Sequence, residues 1–172
     1  MNYCKIIEND IANGEGVRVS LFVSGCTNHC EKCFQPQTWD FNYGEPFTKK
    51  VEDKIIKLLS KSYISGLTLL GGDPFEPNNQ RCLIEFLKRI RAEASTKNIW
   101  AYSGFTIEHL LNQNQYCHCE VTEEMLSMID VLVDGRYVDA LYDISLRFRG
   151  SSNQRIIDVH KTLDSGSIVT LD

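Results

Sequence analysis

The run Val17-Arg18-Val19-Ser20-Leu21-Phe22-Val23 ends at Ser24-Gly25 and passes directly into Cys26-Thr27-Asn28-His29-Cys30-Glu31-Lys32-Cys33. Its first seven residues are β-rich, and the glycine behind them marks a strand entering a loop. The same punctuation recurs further along. Leu67-Thr68-Leu69-Leu70 reads as a short buried strand ending at Gly71-Gly72, Ile99-Trp100-Ala101-Tyr102 as one ending at Ser103-Gly104, and Val131-Leu132-Val133 as one ending at Asp134-Gly135. Helical patterns fill the intervals. Thr48 is suited to cap a helix with Val51, Ile55, Leu58 and Leu59 on one face. A second, about Asn79 to Ala94, aligns Cys82, Leu83, Phe86, Leu87 and Ile90; shorter helices are predicted over Thr106 to Asn112 and Thr122 to Ile129. Strands alternating with helices imply parallel pairing through right-handed crossovers. The four glycine-bearing loops then share the carboxyl edge of the sheet, where ligands bind. The cysteines follow the first of these loops, so glycines and thiols point to one site. Nearer the C-terminus, Leu146-Arg147-Phe148-Arg149 and Ile156-Ile157-Asp158-Val159 read as strands around a polar turn.

The 172 residues fit a single domain spanning residues 1–172, with no repeat, low-complexity tract or proline-rich linker to divide them. A net charge of −5 and a pI near 5.4 argue against a protein built to grip nucleic acid or an anionic membrane. No apolar stretch approaches the ~20 residues of a membrane span, and the N-terminus lacks a secretory apolar region. The cytoplasm is the expected compartment. Seven cysteines in a reducing environment are metal ligands or small buried residues rather than disulfides.

Three thiolates in one short loop repel one another unless a metal shares their charge. Such a loop can wrap an iron–sulfur cluster. Zinc would need a fourth ligand, for which His29, Cys4, Cys117 or Cys119 are available; three unliganded thiols are the plain alternative. Three ligands for four irons leave one iron open, the arrangement of a catalytic cluster.

Cys-x3-Cys-x2-Cys after a first strand resembles the radical S-adenosylmethionine superfamily, and Gly71-Gly72-Asp73-Pro74 resembles that superfamily's glycine-rich motif. Gly14-Glu15-Gly16-Val17-Arg18, the cysteine loop as far as Trp39, and Phe148-Arg149-Gly150-Ser151-Ser152-Asn153-Gln154-Arg155 are similar to its small members that act on an anaerobic ribonucleoside-triphosphate reductase. The resemblance extends over nearly the whole chain. It implies an incomplete parallel α/β barrel, open on one side to admit a large partner. It implies a [4Fe–4S] cluster on Cys26, Cys30 and Cys33, whose open iron takes the methionyl amino and carboxylate groups of S-adenosylmethionine. Reductive cleavage then gives a 5′-deoxyadenosyl radical, which takes a hydrogen atom from a glycine of the reductase. A flavodoxin- or ferredoxin-like protein is the implied electron donor. Activation of a formate-lyase-type partner and a non-enzymatic zinc module are the alternatives.

The resemblance also assigns cofactor contacts. Many superfamily members carry an aromatic just before the third cysteine, its backbone meeting the adenine; here Lys32 holds that place and Phe34 follows Cys33. Gly71 and Gly72 meet the methionyl amino group through backbone. Asp73 stands where glutamate is common and reaches less far. Ser103 and Asp134 line the ribose or adenine, or serve only in strand-end turns. Cys82 is expected in the core, and Cys117-His118-Cys119 in a solvent-facing loop. Arg147, Arg149 and Arg155 form a solvated face or a partner-binding one.

Overall fold

The computed structural model describes residues 1–171. Its centre is the parallel set expected: β2 (Val17–Val23), β4 (Ile64–Gly71), β5 (Asn98–Ser103) and β6 (Val131–Asp134). Two further strands precede β4 in the chain, β1 (Asn2–Asp10) and the short β3 (Glu45–Pro46), and β7 (Arg155–Asp158) follows. The sheet has seven strands in the order β3-β1-β2-β4-β5-β6-β7. β2, β4, β5 and β6 pair in parallel, whereas β1 pairs antiparallel with β2 and β3, and β7 antiparallel with β6. The sheet is open, as expected of an incomplete barrel, and its middle is parallel, but antiparallel strands flank it on both edges, so it is mixed. Antiparallel neighbours need no crossover helix, so β1 reaches β2 through the turn at residues 11–16. That turn holds Gly14 and Gly16 at φ of 124° and 76°, values a side chain disfavours.

The registers set the site. Val23 lies opposite Gly71, and Ser103 opposite Asp134, so the parallel strands end together. Five helices, α1 (Lys49–Leu59), α2 (Pro77–Glu93), α3 (Ile107–Leu111), α4 (Thr122–Ser127) and α5 (Val159–Ser165), cover one face. Their apolar stripes, such as Leu83, Phe86, Leu87 and Ile90 of α2, join Leu21, Leu67, Leu69 and Ala101 in the main core. Cys82, expected on that stripe, faces outward with its sulfur 3.5 Å from the N-terminal ammonium. The other face carries a smaller cluster of Trp100, Val131, Val133 and Ile156.

Residues 135–154 form an excursion between β6 and β7. The strand expected at residues 146–149 is absent; Phe148 takes φ 57° and packs edge-on against Trp100 at 5.4 Å between ring centres. Burying that ring against the inner face outweighs ladder pairing here. Among the described residues, no helix is long and apolar enough to cross a membrane.

Candidate iron–sulfur site

The cysteine loop is tied down at its start: Gly25 N–H donates to Thr38 O at 2.8 Å and Cys26 N–H to Trp39 O at 3.3 Å. His29 and Lys32, the residues preceding Cys30 and Cys33, have φ of 46° and 55°. These reversals of the backbone bring Cys26, Cys30 and Cys33 onto the wall of one cavity of about 650 Å³. Gly71, Gly72, Asp73, Ser103 and Phe34 line the same cavity, so most of the residues singled out from sequence converge there. Among the described residues, no three His, Cys, Asp or Glu side chains converge as they would on a single ion. Burial, assisted by the charges of Asp73 and Glu76, pushes the Cys26 thiol up to about 12. A bound metal would reverse that balance, since its positive charge favours the thiolate.

The glycines are required by close approach. Gly72 N–H donates to Val23 O at 2.8 Å, and a Cβ on Gly72 would sit 2.5 Å from the carbonyl oxygen of Gly25. Gly71 has φ 106°. The β4 loop therefore lies backbone to backbone against the start of the cysteine loop.

Asp73 is buried, and its carboxylate accepts from four donors drawn from three strand-end loops. Asn28 Nδ2 donates at 2.9 Å from the cysteine loop, the Phe75 amide at 2.9 Å, and the Ser103 hydroxyl at 3.0 Å and the Gly104 amide at 2.9 Å from the β5 loop. Burial pushes the carboxyl up to about 7, with the donors pulling the other way. Asp73 thus joins the loops. Ser103 shares that task, its hydroxyl also accepting from Phe105 N–H at 3.0 Å.

Two predicted residues do not line the cavity. Lys32 pairs with Asp139 at 2.7 Å, linking the cysteine loop to the excursion after β6. Asp134 is buried, accepting from Ile107 N–H at 2.8 Å and Arg155 Nε at 2.9 Å, while its neighbour Gly135 lines the cavity. Arg155 also grips Glu108, whose carboxyl it holds down near 2, so this arginine is an internal clamp rather than part of a solvated face. Arg149 lines the cavity and Arg147 lies over the Phe148 ring.

Cys117 and Cys119, expected in a solvent-facing loop, are buried away from the cavity. Gln80 reaches up from α2 to donate to Cys117 O at 2.7 Å, and Cys119 N–H is met by Thr122 Oγ1 at 2.8 Å. These contacts seat the segment in the core.

Several residues of the site went unread in the sequence. Asn28 lies inside the cysteine loop. Glu76 accepts from both the amide and the hydroxyl of Thr27 at 2.7 Å, and Asn79 Nδ2 donates to Ser24 O at 3.0 Å and Asp73 O at 2.9 Å. Their signal was polar side chains crowded behind Gly71-Gly72-Asp73 at the start of a helix. Tyr102 also lines the cavity, with a buried hydroxyl that lacks a hydrogen-bond partner among the described residues.

A family profile described as the 4Fe-4S single cluster domain matches residues 12–157, which sets the class of protein that this fold and loop define. Curated relatives narrow it. The anaerobic ribonucleoside-triphosphate reductase-activating protein of Escherichia coli strain K12 is 44% identical over 156 residues, covering 90% of this chain and 96% of the relative. The proteins of the same name from Pasteurella multocida and Salmonella typhi are 41% and 42% identical, over 91% and 90% of this chain and 96% of each relative. The chain belongs to the family of anaerobic ribonucleoside-triphosphate reductase-activating proteins.

Proposed function

We propose that this protein installs a glycyl radical on an anaerobic ribonucleoside-triphosphate reductase, using S-adenosylmethionine and a [4Fe–4S] cluster held by Cys26, Cys30 and Cys33. The observation that carries the reading is the meeting of those three thiols with the Gly71–Gly72 loop in one cavity. A [4Fe–4S] cluster held by Cys26, Cys30 and Cys33 would supply one electron at this site, and S-adenosylmethionine the means of removing a hydrogen atom from a partner glycine.

The chain's own residues provide binding and orientation. Lacking Cβ atoms, Gly71 and Gly72 pack closely on the backbone of Phe22 and Gly25, and this sets their own backbone on the cavity wall, where a ligand's amino group can meet it. Asp73 acts through others, holding Asn28, Ser103 and Gly104 around the ligand. Phe34 and Ser103 flank the nucleoside part, and the unpartnered Tyr102 hydroxyl is a polar contact for a ligand deeper in the cavity. Lys32 and Asp134 support this wall through Asp139 and Arg155.

The whole chain acts as one domain of the radical S-adenosylmethionine type, and the open sheet leaves room for a macromolecular substrate. Cysteines kept out of disulfides fit a reducing cytoplasm, and a flavodoxin- or ferredoxin-like donor supplies the electron.

The test is anaerobic mixing of the reconstituted protein with a strong reductant, S-adenosylmethionine and the reductase. A doublet glycyl-radical signal should appear on the reductase while 5′-deoxyadenosine accumulates in step. Cofactor cleavage with no radical there, but with one on a formate-lyase-type partner, would leave the chemistry intact and overturn the choice of partner. No cleavage by a fully reduced cluster would overturn the mechanism.

A further inference from the structure

We infer that Glu76 is a positioning residue for the cluster, holding a buried negative charge behind the Cys26 loop that lowers the cluster's reduction potential. This rests on the reading of Cys26, Cys30 and Cys33 as the ligands. Glu76 is fully buried. It occupies the position just before α2, from which a side chain ordinarily caps its own helix, yet it makes no such bond. The carboxylate turns instead to the cysteine loop. Oε1 accepts from the Thr27 amide and hydroxyl, both at 2.7 Å, and Oε2 accepts from the Tyr116 hydroxyl at 2.9 Å. Thr27 follows Cys26 directly, so the charge is fastened one residue from a ligand.

These donors are neutral, so they stabilise the carboxylate without cancelling its charge. Hydrogen bonding alone does not call for a charge here, because a glutamine oxygen would accept from Thr27 equally well, and burying an ionised group is costly. The charge has a consequence at the cluster. Reduction adds an electron to it, and a fixed anion nearby in a low-dielectric wall opposes that gain, making the potential more negative. A negative potential is what reduction of a sulfonium requires. Asp10 and Asp73, the buried carboxyls that line the cavity, are unchanged in any Glu76 variant, so a difference between variants belongs to Glu76.

The experiment compares reconstituted wild type, Glu76→Gln and Glu76→Asp by reductive titration, following the reduced cluster by electron paramagnetic resonance. All three should hold the same iron and sulfide. At a fixed solution potential, Glu76→Gln should show a reduced-to-oxidised ratio roughly tenfold above wild type, a shift of ~59 mV for one electron. Glu76→Asp keeps the charge and should stay within about twofold of wild type. An unshifted Glu76→Gln cluster overturns the inference, and so does a Glu76→Asp cluster shifted as far as Glu76→Gln, which would make geometry the cause. Loss of iron in Glu76→Gln also overturns it, assigning the residue to assembly instead. A wild-type protein with no reducible cluster would overturn the ligand assignment itself, and this inference with it.

Discussion

Replacing Asp73 with asparagine removes one titratable group from the junction of the loops while keeping its shape. In the folded protein burial holds this carboxyl near 7, against an ordinary value of 3.8. Between those values the folded state binds more protons than the unfolded state, so stability falls as pH rises through the window and is flat above it. From pH 5 to pH 7 the wild type therefore loses about 2 kcal/mol, the slope of about 1.4 kcal/mol per pH unit fading as the carboxyl ionises near 7. Carboxylates held low by their partners, including Asp10, Glu108 and Asp158, act with the opposite sign. They are ionised in both states above about pH 5, outside this window. The asparagine has one acceptor oxygen for four donors, so a donor such as the Phe75 amide faces an NH₂ group. An unmet buried donor costs about 1–3 kcal/mol. The variant should thus be less stable than wild type by about that much at pH 5, with the gap closing or reversing by pH 8. Urea denaturation of the reduced, cluster-free proteins at pH 5, 6, 7 and 8 measures it. A stability difference that stays constant over that range would refute the reasoning, because the carboxyl would then not titrate where its burial places it.

Two further outcomes are expected at the site. Alanine at Cys26, Cys30 or Cys33 should abolish cluster assembly. Alanine at Cys4, Cys82, Cys117 or Cys119 should leave iron and sulfide near wild type, with some loss of stability for the buried pair, and iron loss in either of those two would put a cluster ligand in the Cys117-His118-Cys119 segment. At Gly72, alanine would press its Cβ to 2.5 Å from Gly25 O; the cluster should still assemble, but the change that S-adenosylmethionine induces in the reduced cluster's resonance should need at least about tenfold more ligand, since the displaced loop costs on the order of 1.4 kcal/mol. An unaltered ligand response would remove this loop from the binding surface.

Local chemistry wrote much of this protein into its sequence. The four parallel strands are short β-rich segments, largely buried and each followed or closed by glycine, so their existence and their common edge could be read without a structure. The three-cysteine loop needed no tertiary information either, because its thiols fall within one stretch of eight residues. β1 was not legible. Asn2–Asp10 carries Lys5, Glu8 and Asp10 among its apolar residues, and only pairing with Val17–Val23 makes it a strand. Phe148 likewise reads as part of a strand until the inner face of the sheet, and Trp100 in particular, offers its ring a better place.

Tertiary structure alone decided the roles of the polar residues. Asp73 read as a ligand contact, and folding surrounds it with donors from loops 30 to 45 residues away in sequence. Asp134 read either as a cofactor contact or as part of a strand-end turn, and folding gives its carboxylate to Arg155 and the start of α3. Cys82 fits a helical stripe by period but falls at its edge, and the paired cysteines after Tyr116 are drawn inward by Gln80. Periodicity and spacing report which backbone a segment prefers. A buried charge or donor takes whatever partner the packing of distant segments brings within about 3 Å, and no local pattern records that choice.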